Sequence, residues 1–161
     1  MQIESRIFGS IEIDDDKIIT IPNGLMGFEQ FTKYALAFDN EKQTKGGILW
    51  LQSVEEPALA FPMLDPARIF GEYCPVIEDE WLAPIGTFQN DEDLLLLNIL
   101  TVPSDITNMT VNLRAPLIIN TITRKGCQLI VNNEEYSVKH KVYELIQEMK
   151  KEAELLLALS R

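Results

Sequence analysis

Short runs in which apolar and polar residues alternate make up most of the chain, and turn-forming residues separate them. In the first run, Ile3 and Ile7 fall on one side of the alternation, and Glu4 and Arg6 fall on the other. This period of two is typical of a half-buried strand. Further strand-like runs cover residues 11–13, 17–21, 34–38, 48–52, 58–62, 94–102, 110–113, 117–121, 127–131 and 136–139. So many short strands predict a mainly β fold, a small antiparallel domain that resembles a β-barrel.

The last segment of the chain follows a different period. Apolar residues between positions 142 and 157 recur at steps of three and four, with Lys and Glu between them, which is the pattern of an amphipathic helix. We therefore predict a β domain over residues 1–139 and a C-terminal amphipathic α-helix over residues 140–161 that packs on the same domain. The alternative is that the apolar stripe of this helix meets a partner or a second copy of the chain.

Length and composition limit the class of protein. With 161 residues, of which 46% are hydrophobic and 24% are charged, the chain has the proportions of one globular domain. No apolar run reaches the ~20 residues of a membrane-spanning helix, and the N-terminus lacks the basic and apolar regions of a secretory signal. We therefore expect a cytoplasmic protein with no membrane partner, and we expect it to be a monomer when free.

The charge of the chain is acidic and unevenly distributed. The formal net charge is −11, and between residues 65 and 105 one basic residue, Arg68, is opposed by nine acidic residues. A surface of that sign repels the phosphates of nucleic acids, which bind through Lys and Arg. Direct nucleic-acid binding is therefore not expected, whereas a basic protein partner would complement the charge.

Residues with the chemistry of a catalyst, a metal ligand or a cofactor site are scarce. His140 is the single histidine, and neither Cys74 nor Cys127 belongs to a Cys-x-x-Cys pair, so no metal or nucleophilic site is predicted. The sequence also lacks a phosphate-binding Gly-rich loop and a dinucleotide fingerprint. We expect no catalytic residue, no metal and no cofactor, and we expect both cysteines to be small buried thiols.

Two runs of three acidic residues are the main polar feature, and Trp81 follows the first of them directly. An exposed aromatic residue beside charged neighbours is typical of a protein-binding hot spot. The candidate partner-binding residues are therefore Glu78, Asp79, Glu80, Trp81, Asp91, Glu92 and Asp93. The alternatives are a solvated loop in which Trp81 covers one end of the barrel, a carboxylate-dependent hydrolase, and a calcium site, although the spaced acidic loop of calcium sites is missing from the sequence.

Four segments carry recognisable motifs that hold no reactive residues. Residues 110–120 read as a strand, a Pro stop and a second apolar strand, residues 22–28 contain Gly-x-x-Gly-Phe, residues 51–53 read Leu-Gln-Ser, and residues 128–136 read as a hairpin. In this order the four segments resemble the FliW family of bacterial flagellar assembly factors. The resemblance spans about the first 139 residues, and the repeated match at four places makes it specific.

The motif residues are expected to determine the fold rather than to contact a ligand. Asn side chains commonly bond loop backbone, so we expect Asn112 and Asn120 to tie off the loops beside Pro116. Gly24 and Gly27 predict a tight turn that delivers Phe28 into the core, because glycine accepts turn conformations and a large aromatic ring gains most from burial.

The resemblance implies a function that the residues alone do not. Proteins similar to FliW bind the translational regulator CsrA and also bind flagellin, so the two partners compete. The resemblance therefore implies a flagellar assembly factor, not an enzyme, that relieves CsrA repression of flagellin translation when flagellin is exported. From the residues alone, two alternatives remain, a small-molecule-binding β-barrel and the carboxylate-dependent hydrolase.

Overall fold

The computed structural model describes residues 1–37, 48–68, 70 and 72–159. In this part of the chain there are eleven strands and one α-helix. The strands are β1 (Gln2–Ser5), β2 (Gly9–Glu12), β3 (Ile19–Thr20), β4 (Lys33–Ala37), β5 (Ile48–Ser53), β6 (Ala60–Leu64), β7 (Leu94–Thr101), β8 (Thr110–Val111), β9 (Leu117–Asn120), β10 (Lys125–Gln128) and β11 (His140–Lys141), and the helix is α1 (Tyr143–Leu159).

Seven of these strands close into a barrel. Their order is β7-β6-β5-β4-β3-β10-β9, and the pairing of β9 with β7 completes the ring. The neighbours are antiparallel except β3 and β10, which run parallel where Thr20 pairs with Lys125. Strands β1 and β2 form a separate hairpin, while β8 and β11 extend the sheet beyond β7. The predicted mainly β fold with a barrel and a C-terminal helix is confirmed, and its single parallel pairing makes the barrel mixed.

Some predicted boundaries differ from the structure. The strand predicted over residues 136–139 is wrong, because the strand near this position is β11, two residues long and later in the chain. The apolar signal at Tyr136 comes from side-chain packing instead, since its ring lies against Tyr73 with a centroid separation of 4.7 Å. Phe38, the predicted last residue of the strand over 34–38, lies outside the described residues.

The barrel interior is a packed apolar core. Side chains that alternate along the barrel strands point inward and bury each other, as expected for a small barrel. The fully buried members are Ile19, Ile21, Leu25, Tyr34, Leu51, Met63, Leu97, Leu117 and Ile119. As far as the described residues form it, the interior is therefore filled with protein side chains, which argues against a small-molecule-binding barrel.

A second apolar layer covers the outside of β7, β9 and β10. Ile118 and Cys127 face outward from the barrel and pack against Leu82 and Ile85 of the short 3₁₀ helix Asp79–Ile85. Burial raises the pKa of the Cys127 thiol to about 11, so this cysteine is an inert buried thiol as predicted. This layer therefore fixes the position of the segment that carries the first acidic run.

The beginning of α1 is anchored to the domain. Val142 and Ile146 are buried in a third apolar cluster together with Val111 and Leu113. Further along the helix, Leu155 is exposed, with 61% of its surface accessible. Within the described residues, no helix has both the length and the apolar character that are needed to cross a membrane.

The Gly-x-x-Gly-Phe motif forms a tight turn at the barrel core. Gly24 and Gly27 have positive φ angles of 68° and 88°, and Leu25 between them is fully buried. Phe28 is half-buried and packs edge-on against Phe61, with 5.0 Å between ring centroids. The turn therefore places Phe28 against the barrel core, as predicted, but at its edge, while Leu25 is the residue that the core encloses fully.

The Leu-Gln-Ser motif connects the N-terminal hairpin to the barrel. The fully buried Gln52 accepts a hydrogen bond at Oε1 from Ser5 Oγ at 2.7 Å. Its Nε2 donates to three backbone carbonyl oxygens, those of Ser53, Pro57 and Leu59. Because an unpaired buried amide is costly, a glutamine at this position is a structural requirement of the fold.

Candidate functional site

The two acidic runs meet at one surface depression of about 590 Å³. We call it the acidic depression; its lining consists of Asp79, Leu82, Ala83, Gly86, Thr87, Phe88 and Asp91. Asp79 comes from the first acidic run and Asp91 from the second, and both side chains are exposed. Leu82 and Phe88 add an apolar component to this lining, a combination that suits a protein partner.

The first acidic run begins the 3₁₀ helix Asp79–Ile85. Glu78 occupies the position before the helix, and its side chain makes no capping hydrogen bond. Glu78 and Glu80 are exposed, while Trp81 is half-buried, and none of these three side chains lines the depression. The acidic side chains of this run are solvated, as the loop alternative predicted. The backbone, however, forms a 3₁₀ helix and not a loop, because the buried Leu82 and Ile85 hold it in a helical turn.

The second acidic run forms the 3₁₀ helix Asp91–Asp93, and its three members differ. Asp91 and Glu92 are exposed. The Asp93 carboxylate instead accepts hydrogen bonds from the backbone N–H groups of Gln89 and Asn90, at 3.3 and 3.2 Å, and so completes a capping box. Asp93 therefore shapes the turn, and Asp91 is the member that faces the depression.

A buried asparagine holds the depression in shape. Asn120 Nδ2 donates to the carbonyl oxygens of Ile85 and Thr87, both at 3.1 Å, so it fixes the chain between the two acidic runs. Thr123 Oγ1 donates to the same Ile85 carbonyl at 2.6 Å. A Cβ at Gly86 would lie 2.9 Å from Thr123 Cγ2, so a glycine is needed where the segment crosses the β9–β10 turn.

The asparagines of the motif have the backbone-bonding role that the sequence predicted. Asn120 Oδ1 accepts from the N–H groups of Ile122 and Thr123 in addition to the two donated bonds. Asn112 Oδ1 accepts from the N–H groups of Arg114 and Ala115 at 3.1 and 3.0 Å. Both predictions are confirmed, and one of the two asparagines also positions the acidic depression.

Ion pairs within the described residues leave out the carboxylates of the depression. In the part of the chain that the structure describes, the ion pairs join the N-terminal ammonium to Glu12 and Asp15, and none involves Asp79 or Asp91. The field of these two groups is therefore directed at solvent and at any cation that approaches.

The prediction that both cysteines are buried is confirmed for Cys127 and wrong for Cys74, which is exposed.

The depression is suited to electrostatic recognition rather than to metal binding. Among the described residues, no cluster of three or more His, Cys, Asp or Glu side chains could hold a metal ion. Carboxylates and apolar side chains in one lining instead match a cationic protein segment, because rim charges steer association and apolar contacts supply binding energy.

Sequence reasoning missed the apolar part of this site. Leu82 and Ile85 are three residues apart, the spacing that aligns side chains on one face of a 3₁₀ helix. This spacing was the one sign in the sequence that the segment forms a 3₁₀ helix with a buried apolar face. Phe88 gave no such signal, because its place beside Asp79 and Asp91 depends on the tertiary bonds of Asn120.

The fold agrees with comparisons to known proteins. The family model described as FliW protein matches residues 2–142 of the chain. The chain belongs to the FliW family. The match ends at the start of α1, so the helix Tyr143–Leu159 lies beyond the segment that the family model covers.

Individual relatives support the same assignment over most of the chain. A flagellar assembly factor FliW from Lachnospira eligens is 44% identical over 147 residues, which is 91% of this chain and 97% of that protein. A FliW from Thermotoga neapolitana is 38% identical over 149 residues, with coverage of 92% and 97%. A crystal structure of the flagellar assembly factor FliW superposes with a TM-score of 0.78 at 31% identity, covering 88% of this chain and 96% of that one.

Family membership decides between the functional classes that the residues left open. As a FliW family member, the chain is a flagellar assembly factor and a non-enzymatic protein, which removes the carboxylate-dependent hydrolase. The four motifs all lie within the matched residues, and the structure assigns their polar members to backbone hydrogen bonds. Family membership thus implies protein partners in flagellar assembly.

Proposed function

We propose that this FliW family member binds CsrA and flagellin in the cytoplasm as alternative partners. While flagellin is abundant it occupies the protein. After flagellin is exported, the free protein binds CsrA and relieves the repression of flagellin translation. The observation that carries the proposal is the acidic depression, whose lining combines the exposed carboxylates of Asp79 and Asp91 with apolar Leu82 and Phe88.

The charge of the depression suits CsrA in particular. A translational regulator that binds RNA must present Lys and Arg to the phosphate backbone. An acidic surface on another protein complements such a face and competes with RNA for it. The net charge of −11 adds a long-range attraction, so a basic partner is drawn to the whole molecule as well as to the depression.

The candidate residues have different roles in this proposal. Asp79 and Asp91 contact the partner directly, because they line the depression. Glu78, Glu80 and Glu92 are exposed nearby and strengthen the field. In addition, Trp81 adds apolar contact at the edge, and Asp93 keeps the shape of the turn through its two backbone hydrogen bonds.

Removing the two lining charges is expected to slow association with CsrA. The double variant Asp79→Asn/Asp91→Asn should lower the association rate constant by about five- to tenfold at low salt, because charge steering of this kind changes association rates by tenfold or more. The difference should shrink as salt approaches ~0.5 M, since exposed charges are then screened within a few ångströms. Stopped-flow or surface-based kinetics over a salt series measures both effects.

A control separates the site from the total charge. Asp14→Asn/Asp16→Asn removes the same two charges from exposed residues of a different turn, and it should leave the association rate within about twofold of the unmodified protein. Equal slowing by both double variants would contradict the role of the depression. No association of the unmodified protein with CsrA at any salt concentration would contradict the proposed function itself.

A further inference from the structure

A second depression of about 550 Å³ lies beside the start of β11. We call it the aromatic depression. Four rings and two carboxylates line it, those of Phe70, Tyr73, Tyr136, His140, Glu72 and Glu135. It shares no lining residue with the acidic depression, so it is a separate feature of the surface.

The four rings that line the depression form two packed pairs. Tyr73 and Tyr136 have centroids 4.7 Å apart and planes inclined by 57°. Phe70 and His140 have centroids 5.2 Å apart and planes inclined by 79°. Rings at these separations touch each other, and the parts of them that line the depression offer aromatic surface to a cation.

Hydrogen bonds hold the two tyrosines in place. The Tyr73 hydroxyl donates to the Leu113 carbonyl and accepts from Nδ2 of the fully buried Asn98 at 3.2 Å. The Tyr136 hydroxyl accepts from the Cys74 N–H at 2.9 Å. Burial raises the pKa of Tyr73 to about 12, so its phenol stays neutral. Both phenol oxygens are therefore engaged in hydrogen bonds within the protein, and these bonds fix the orientation of the two rings.

The two carboxylates select the charge of that guest. Glu72 and Glu135 are exposed at the edge of the rings, and Asn133 Nδ2 orients the Glu135 carboxylate with a bond of 3.1 Å. Within the described part of the chain, neither carboxylate belongs to an ion pair. An anionic guest is repelled here, and a neutral apolar guest would leave the attraction of both carboxylates unused.

From these features we propose that the aromatic depression binds an arginine side chain presented by a basic segment of a protein partner. The guanidinium group is planar, stacks on aromatic faces and bonds carboxylates through its fork of N–H donors, whereas a lysine ammonium is a compact and strongly hydrated charge. The inference does not depend on CsrA or flagellin, because it follows from this depression alone. A partner bound at the acidic depression would gain a second point of contact.

A peptide titration tests this binding without any identified partner. The probe is N-acetyl-Gly-Arg-Gly-amide, added to the full-length protein while NMR follows the ring signals of Tyr73, Tyr136 and His140. The control peptide carries citrulline, which has the shape of arginine without the charge. We expect saturable shifts with arginine and about tenfold weaker binding with citrulline, because the cation–π and carboxylate attractions are lost. A lysine peptide should fall between them.

Variants locate the binding. Glu72→Gln/Glu135→Gln keeps the shape of the exposed edge and should weaken arginine binding by about five- to tenfold, whereas Glu134→Gln removes a neighbouring exposed charge and should change it by less than about twofold. Tyr136→Phe keeps the ring and should bind nearly normally, while Tyr136→Leu should bind several-fold more weakly. Thermal unfolding of each variant identifies any loss of folding.

Three results would overturn the proposal. One is equal binding of the arginine and citrulline peptides. Another is a Glu72→Gln/Glu135→Gln variant that folds normally and binds arginine as tightly as the unmodified protein. The third is binding that disappears in Asp79→Asn/Asp91→Asn, which would assign the peptide to the acidic depression. Because these readouts use no flagellar partner, they are independent of the proposed function.

Discussion

Asn120→Ala is expected to lower the free energy of unfolding by about 3–5 kcal/mol, because it leaves several buried backbone groups without partners at about 1–3 kcal/mol each. The Asn120 side chain is fully buried. Its amide nitrogen donates to the carbonyls of Ile85 and Thr87, and its oxygen accepts from the N–H groups of Ile122 and Thr123. Alanine supplies none of these four bonds, and the space is too enclosed for water to replace all of them easily.

Asn112→Ala is the matched control for this substitution. Asn112 also bonds two loop N–H groups through its side-chain oxygen, but it is half-buried, so we expect a loss of about 1–2 kcal/mol. Urea unfolding followed by circular dichroism gives both values from the midpoint and slope. A loss for Asn120→Ala that is no larger than the loss for Asn112→Ala would contradict the assigned role. We also expect Asn120→Ala to loosen the segment between the two acidic runs, because the bonds from Asn120 to the Ile85 and Thr87 carbonyls are lost.

Gly24→Ala is expected to cost about 3 kcal/mol or more, a large part of the roughly 5–15 kcal/mol that stabilises a domain of this size. Gly24 has a φ of +68°, and a Cβ there would lie 2.5 Å from Glu29 Cα and 2.8 Å from the Glu29 carbonyl oxygen. Both contacts are with backbone, so relieving them requires the turn itself to move.

Gly27→Ala separates crowding from backbone strain in the same turn. Gly27 has a φ of +88°, but a Cβ at this position would meet no atom within 4 Å. We expect only the cost of a positive φ, about 1–2 kcal/mol. Thermal unfolding of both variants, compared at equal protein concentration, measures the difference. Equal losses for the two substitutions would show that the crowding at Gly24 is relieved and that strain alone determines the cost.

Most of the fold could be predicted from the spacing of apolar residues, which recur at every second position in strands and at every third or fourth position in the helix. The strands of the barrel and the C-terminal helix follow from runs such as 48–52 and 94–102, because a barrel strand buries every second side chain. The parallel pairing of β3 with β10 could not be predicted, since it joins Thr20 to Lys125 across most of the chain. The signal of period two also failed at residues 136–139, where aromatic packing produces the apolar pattern instead of a strand.

The candidate site could be predicted only in part. Its carboxylates are visible as two acidic runs, and an unpaired acidic surface follows from their composition. That Asp79 and Asp91 line one depression, while Asp93 caps a turn, depends on the bonds of Asn120 and on the capping box. Such bonds join residues that are distant in the chain, and a periodic pattern carries no information about them.

The aromatic depression was hidden for the same reason. Tyr73 and Tyr136 are 63 positions apart in the chain, yet their rings lie 4.7 Å apart. In the sequence each looks like an ordinary strand or loop aromatic residue. The hydrogen bonds from Asn98 and Cys74, which orient the two phenols, and the two carboxylates in the lining distinguish this cluster from the purely apolar clusters of the core.

A competition titration tests whether the protein binds CsrA and flagellin as alternative partners. CsrA is titrated calorimetrically into the purified full-length protein at tens of micromolar, first alone and then after saturation with flagellin. A complex of micromolar affinity, worth ~8 kcal/mol, would be mostly formed at this concentration. We expect saturable heat and co-elution with CsrA alone, and loss of both in the presence of flagellin. The absence of heat and of co-elution with CsrA alone would contradict the proposed function.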